Sequence, residues 1–141
     1  FQSLGWIGRY ENDLDEVEGF NGRLLIGATR ISLSDIITEI HSLGGLAVAA
    51  HIDRESFSVI SQLGFIDPDM PFDALEISRA TGLAEGRRRF PKLSGHAFIE
   101  SSDAHYLKDI GSTATVISMK EPTIAELKKA FSRFEGRMIR E

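Results

Sequence analysis

Asp103-Ala104-His105 is the tripeptide of this sequence with the clearest capacity for chemistry. In an extended segment residues i and i+2 project to the same side, so the carboxylate and the imidazole can reach one metal ion or flank one small site. His51, which follows Ala49-Ala50, is a third donor, and the small residues before it leave room for a cation and a substrate. Imidazole and carboxylate donors suit Zn²⁺, Mn²⁺ or Fe²⁺ better than Ca²⁺, and such a cation activates water for hydrolysis of phosphate esters or amides. On spacing alone, ordinary hydrogen bonding remains the simpler account of an Asp-x-His pair and a strand-end histidine.

These donors need a scaffold, and the pattern supplies one in which helices and strands alternate. Ser32 and Asp35 open a helix in which Leu33, Ile36, Ile37, Ile40 and Leu43 recur at helical spacing, and Gly44-Gly45 ends it. The apolar run 46–50 has no polar alternation, as in a parallel strand buried on both faces, and His51 sits at its C-terminal end. A short helix over 56–63, a strand over 72–77, a helix over 82–90 and a strand beginning at 97–99 follow. Residues 113–119 are strand-like, and Thr123 with Glu126 makes a capping box for a last helix carrying Ile124, Leu127, Ala130, Phe131 and Phe134. Residues 11–22 are acidic and broken by glycines, which predicts a surface loop or short irregular helix; the N-terminal 30 residues are otherwise poorly assigned. The expected fold class is α/β with a mainly parallel sheet, and His51, Glu76, Asp103 and His105 gather at the edge formed by the strand C-termini.

Composition narrows the functions. The 141 residues are 42% hydrophobic and 26% charged, enough for one domain with a core. A formal net charge of −5 disfavours nucleic acid or an anionic membrane as a partner. With no cysteine there is no disulfide, thiol nucleophile or thiolate-bound metal, so any cation must use His and carboxylates. No apolar stretch approaches the roughly 20 residues that cross a bilayer, and these features together read as cytoplasmic. The chain opens on Phe1 without targeting character, which suggests a piece of something longer.

Gly44-Gly45-Leu46-Ala47-Val48-Ala49-Ala50-His51 and Ser101-Ser102-Asp103-Ala104-His105-Tyr106, with Asp109-Ile110-Gly111 close behind, resemble the later motifs of the PHP (polymerase and histidinol phosphatase) superfamily. The resemblance covers about residues 30–112, two separated motifs in the family's order. It implies a distorted seven-stranded β/α barrel, of which this chain is a C-terminal part. It also implies up to three divalent metals at the strand ends, and hydrolysis of a phosphoester on a small molecule such as histidinol phosphate or on a nucleotide. By position His51 matches the metal-binding His of the third motif, and Asp103 and His105 match the Asp-x-His of the fourth, as metal ligands next to the reacting group. The family's opening His-x-His motif is absent, since the four histidines stand at 41, 51, 96 and 105. The isolated chain is therefore expected to be inactive, and a non-catalytic PHP-related scaffold is the alternative. An apolar face left where barrel strands are missing predicts self-association.

Other residues carry competing readings. Arg54, just past a strand end, suits a substrate phosphate or an ion pair with Asp53 or Glu55, and Glu76 is second to the three ligands as a substrate-facing group. Arg87-Arg88-Arg89 reads as a solvated helix face rather than a phosphate contact. His41 reads as a helix C-terminal histidine and His96 as structural, while Tyr106 and Lys108 either line the pocket or pack under the loop.

Overall fold

The computed structural model describes residues 7–12, 14, 16–24 and 29–140 and divides into two compact units, residues 1–32 and 33–141. In the first, β1 (Ile7–Glu11) and β2 (Val17–Leu24) form an antiparallel pair. This corrects the loop or irregular helix expected over 11–22. Asn12 makes the turn: its side-chain oxygen accepts the Leu14 N–H at 2.9 Å and the Glu16 N–H at 3.0 Å, the local bonding by which asparagine reverses a chain.

The second unit alternates as the pattern predicts. Its helices are α1 (Leu33–Ser42), α2 (Val59–Leu63), α3 (Leu83–Arg89) and α4 (Ile124–Phe131). Strands β3 (Val48–Ala49), β4 (Ala74–Ile77) and β5 (Ala97–Glu100) form a parallel sheet in the order β3-β4-β5. Ala74, Leu75, Ile77 and Phe98 are completely enclosed, as in a central parallel strand and its neighbour, but β3 lies at the sheet edge with Val48 exposed, which corrects the two-sided burial expected over 46–50. Ile37, Ile52, Ile66, Phe72 and Leu93 complete the core. The fold is thus mixed α/β with a small parallel sheet, and no closed barrel is formed by the described residues.

Local chemistry sets the boundaries. Ser58, not Ser56, begins α2, because the Ser58 hydroxyl accepts the Ser61 N–H and the Ser61 hydroxyl accepts the Ser58 N–H, both at 3.0 Å. Gly86 lets α3 lie directly on β4, since a Cβ there would come within 2.6 Å of the Ile77 side chain.

β6 (Val116–Ser118) pairs antiparallel with a strand the pattern did not reveal, β7 (Met138–Arg140), and α4 packs against both. Phe134 lies beyond α4 in a single 3-10 turn, Phe134–Gly136. The capping box expected at Thr123 is one-sided: Thr123 accepts the Glu126 N–H, but the Glu126 carboxylate turns to the Lys120 N–H and the buried Arg137 guanidinium instead. Bidentate bonding from Arg137, at 2.8 and 3.1 Å, holds the Glu126 pKa at about 2. No helix among the described residues is long and apolar enough to cross a membrane.

Candidate functional site

The C-terminal ends of β3, β4 and β5 open on a cleft of about 460 Å³. It is the place where a parallel sheet presents loops to a ligand. Asp53, Arg54, Glu55, Arg79, Asp103, His105 and Asp109 supply its charged and titratable lining.

Past β3 the chain turns at His51, whose φ of +28° lies in the left-handed region that non-glycine residues seldom enter. Buried Ile52 anchors the turn in the core, and its N–H donates to the Glu76 carbonyl at 2.9 Å. Asp53 then ties this loop to the one after β4. Its carboxylate accepts the Ser78 N–H at 2.7 Å, the Ser78 hydroxyl at 2.5 Å and the Thr81 hydroxyl at 2.6 Å. Burial by itself would raise the Asp53 pKa, but these hydrogen bonds outweigh it and hold the group below its ordinary value.

Glu76, at the end of β4, joins all three strand ends. One of its oxygens accepts the His51 N–H at 3.1 Å and the other accepts the Ser101 hydroxyl. Beyond β4, the Arg79 guanidinium donates to the Ser112 hydroxyl at 2.8 Å.

At the end of β5, Asp103 has φ +45°, a second left-handed non-glycine residue. Its Oδ1 is 3.7 Å from His105 Nε2, beyond hydrogen-bond distance, and Oδ2 is 2.7 Å from an Arg54 guanidinium nitrogen. That second contact is close in distance but off the line of a guanidinium N–H, because Oδ2 is buried without a hydrogen bond. The Nδ1 atom of His51 is also buried and unpartnered. Strained backbone and orphaned polar atoms on the same residues are the local features that mark a functional constraint.

Sequence-derived residues therefore divide. Arg54, Asp103 and His105 meet in one cleft, while His51 and Glu76 support it from the strand ends without lining it. The donor types fit a divalent transition cation, yet among the described residues no three His, Asp or Glu side chains are already gathered as a cation cluster. Arg54 pairs with Asp103, not with Asp53 or Glu55. Arg88 pairs with Glu85, Arg87 lies over the Phe98 ring and Arg89 over Phe90. Tyr106 is exposed and outside the cleft lining, with the Lys108 ammonium 5.8 Å from its ring centre. Arg79 went unnoticed in the sequence and Asp53 was read only as a partner for Arg54; a polar Ser78-Arg79-Ala80-Thr81 run directly after a buried strand was the available signal.

Residues 88–133 match a family model described as PHP-associated. The matched stretch contains β5, Asp103, His105, β6 and α4, so the fourth-motif pair lies inside the match while His51, Arg54 and Glu76 lie before it. The match supports the superfamily relationship that the two separated motifs imply. No curated protein and no solved structure matches the chain.

Proposed function

We propose that this chain is part of a PHP-type, metal-dependent phosphoesterase acting on a phosphorylated small molecule or nucleotide. The parallel sheet would be one arc of a distorted β/α barrel. The observation that carries the reading is the placement of Asp103, in a left-handed backbone at the end of β5, beside His105 in the strand-end cleft, both within the stretch that matches a PHP-associated family model. His51, Asp103 and His105 would hold a divalent Zn, Mn or Fe ion. Bound there, such an ion supplies water of lowered pKa and screens phosphate charge.

The chain's own residues would do the rest. Asp103 and His105 stand nearest the reacting group, and Arg54 offers a planar pair of donors to phosphate oxygens. Glu76 keeps the His51 turn and Ser101 in place through its two occupied oxygens, a supporting task rather than a direct hold on substrate. Without a His-x-His motif, the 141 residues alone are expected not to turn over a phosphoester.

Growth with added zinc and manganese, followed by metal analysis of the purified chain and of His105→Ala, tests the reading. Bound metal in the parent that disappears in the variant is the expected result. A parent that takes up neither metal would overturn it in favour of the second reading, a non-catalytic PHP-related scaffold. The lack of a gathered three-donor cluster among the described residues favours that alternative.

A further inference from the structure

We propose that the wall of the cleft made by α3 and the loop before it docks an acidic segment of a partner protein. The proposal is independent of the cation-site reading above.

Charge on this chain is unevenly placed. The formal net charge is −5, yet from Arg79 to Lys92 stand five cations, Arg79, Arg87, Arg88, Arg89 and Lys92, against one carboxylate, Glu85. Arg79, Arg88, Arg89 and Lys92 are exposed, and Arg88 takes up Glu85. Among the described residues the partners of Arg79 and Arg89 are neutral. Arg79 donates to the Ser112 hydroxyl at 2.8 Å, and Arg89 reaches the Thr81 hydroxyl at 3.5 Å. The wall therefore keeps positive charge that its own contacts leave uncompensated.

Two features preset this surface. Arg87 lies over the Phe98 ring at 5.4 Å and Arg89 over the Phe90 ring at 5.9 Å, and a guanidinium stacked by its face keeps its N–H edge for a planar acceptor such as a carboxylate. The frame beneath is fixed, because a Cβ on Gly86 would come within 2.6 Å of the Ile77 side chain. Groups held in this way lose little freedom on binding.

A carboxylate-bearing segment complements the wall better than a nucleic-acid backbone does. A run of phosphates would meet the field of a chain at −5, and the cleft beside the wall adds Asp53, Glu55, Asp103 and Asp109. A short acidic loop or helix is matched by the wall alone. Arg79 and Thr81 also line the cleft, so a segment seated on the wall stands at the cleft mouth and restricts entry.

Fluorescence anisotropy of a labelled peptide of alternating glutamate and serine, titrated with the 141-residue chain, tests this, with a glutamine-serine peptide and an oligothymidylate of equal length alongside. Thermal unfolding confirms that each variant is folded. We expect the glutamate-serine peptide to bind and the glutamine-serine peptide not to. The triple change Arg88→Gln, Arg89→Gln and Lys92→Gln should weaken binding about tenfold, the effect of three exposed ion pairs, and Arg89→Gln alone about twofold. Removing the same charge elsewhere, by Lys108→Gln, Lys120→Gln and Lys128→Gln, should change it less than about twofold. An equal loss in that control would reduce the effect to net charge and overturn the proposal. Tighter binding of the oligothymidylate, or no binding of the glutamate-serine peptide, would overturn it too. So would self-association of the chain, seen in sedimentation and abolished by the first triple change, since a second copy would then hold the wall.

Discussion

Two His–Asp pairs occupy opposite ends of the parallel sheet and behave differently. At the N-terminal end, His41 in the last turn of α1 meets Asp73 just before β4 at 2.7 Å. The same Asp73 oxygen accepts the Ala47 N–H at 2.7 Å, so helix, β3 entry and β4 entry are clasped by one carboxylate. At the C-terminal end, His105 and Asp103 stand 3.7 Å apart, Asp103 is held in a left-handed backbone, and its second oxygen faces Arg54. Identical residue types thus make a satisfied clasp at one end and an unsatisfied, charge-lined cleft at the other. Backbone strain and unmet hydrogen bonding, more than residue identity, separate the two pairs.

Disrupting the core that both ends share should have the largest effect. Phe98→Ala is expected to lower unfolding free energy in urea by about 3–5 kcal/mol, erasing the distinction by weakening both ends. Asp73→Ala should cost about 1–3 kcal/mol, because it strands the Ala47 N–H and frees His41, and it should leave the strand-end cleft unable to compensate.

Acid should then separate the ends in sequence. The folded state prefers ionised Asp53, so its stabilisation is fully present above the group's ordinary pKa of 3.8 and is lost as pH falls through the lower folded value. Hydrogen exchange followed from about pH 5 to about pH 2 should show the Ser78 amide losing protection before the β4–β5 amides. Retained Ser78 protection to the end of the series would remove Asp53 as the tie between the two loops.

Smallest of all should be the effect of altering the unsatisfied pair. His105→Ala, at a side chain 78% exposed, should change stability by less than about 0.5 kcal/mol, and Asp103→Asn by less than about 1 kcal/mol, in urea titrations. A loss from Asp103→Asn as large as that from Asp73→Ala would mean that both pairs are clasps.

The sequence exposed the sheet better than the site. Ala74, Leu75 and Ile77 are enclosed as a parallel strand requires, and that apolar signal survives without tertiary information, whereas the run 46–50 buries Ala47 and Ala49 on one face and leaves Val48 exposed on the other. By contrast, Val17-Glu18-Gly19-Phe20 carries charge and glycine inside a strand, and three-residue β7 is too short for any period to register. The tasks of Asp53 and Glu126 were hidden for another reason. Their partners lie 25 and 11 residues away, at Ser78 and Arg137, and local spacing pointed to Arg54 and to a helix cap instead. Strand-end position gathered His51, Glu76, Asp103 and His105 with Arg54 just beyond, of which Arg54, Asp103 and His105 line the cleft, and their charge geometry depends on backbone angles that neither His51 nor Asp103 advertises by type.

The contact between Gly86 and Ile77 gives the cleft a mechanical character. The chain passes from β4 through Ser78, Arg79, Ala80, Thr81 and Gly82 straight into α3, and α3 rests on β4 with no space for even a methyl group. Strand, loop and helix on that wall must shift as one block, as stiff as the packed interior beneath it. The opposite wall is seated differently, by buried Ile52 and by the Asp53 bonds to Ser78 and Thr81, so that there the exposed side chain of Arg54 stands clear of the packed interior.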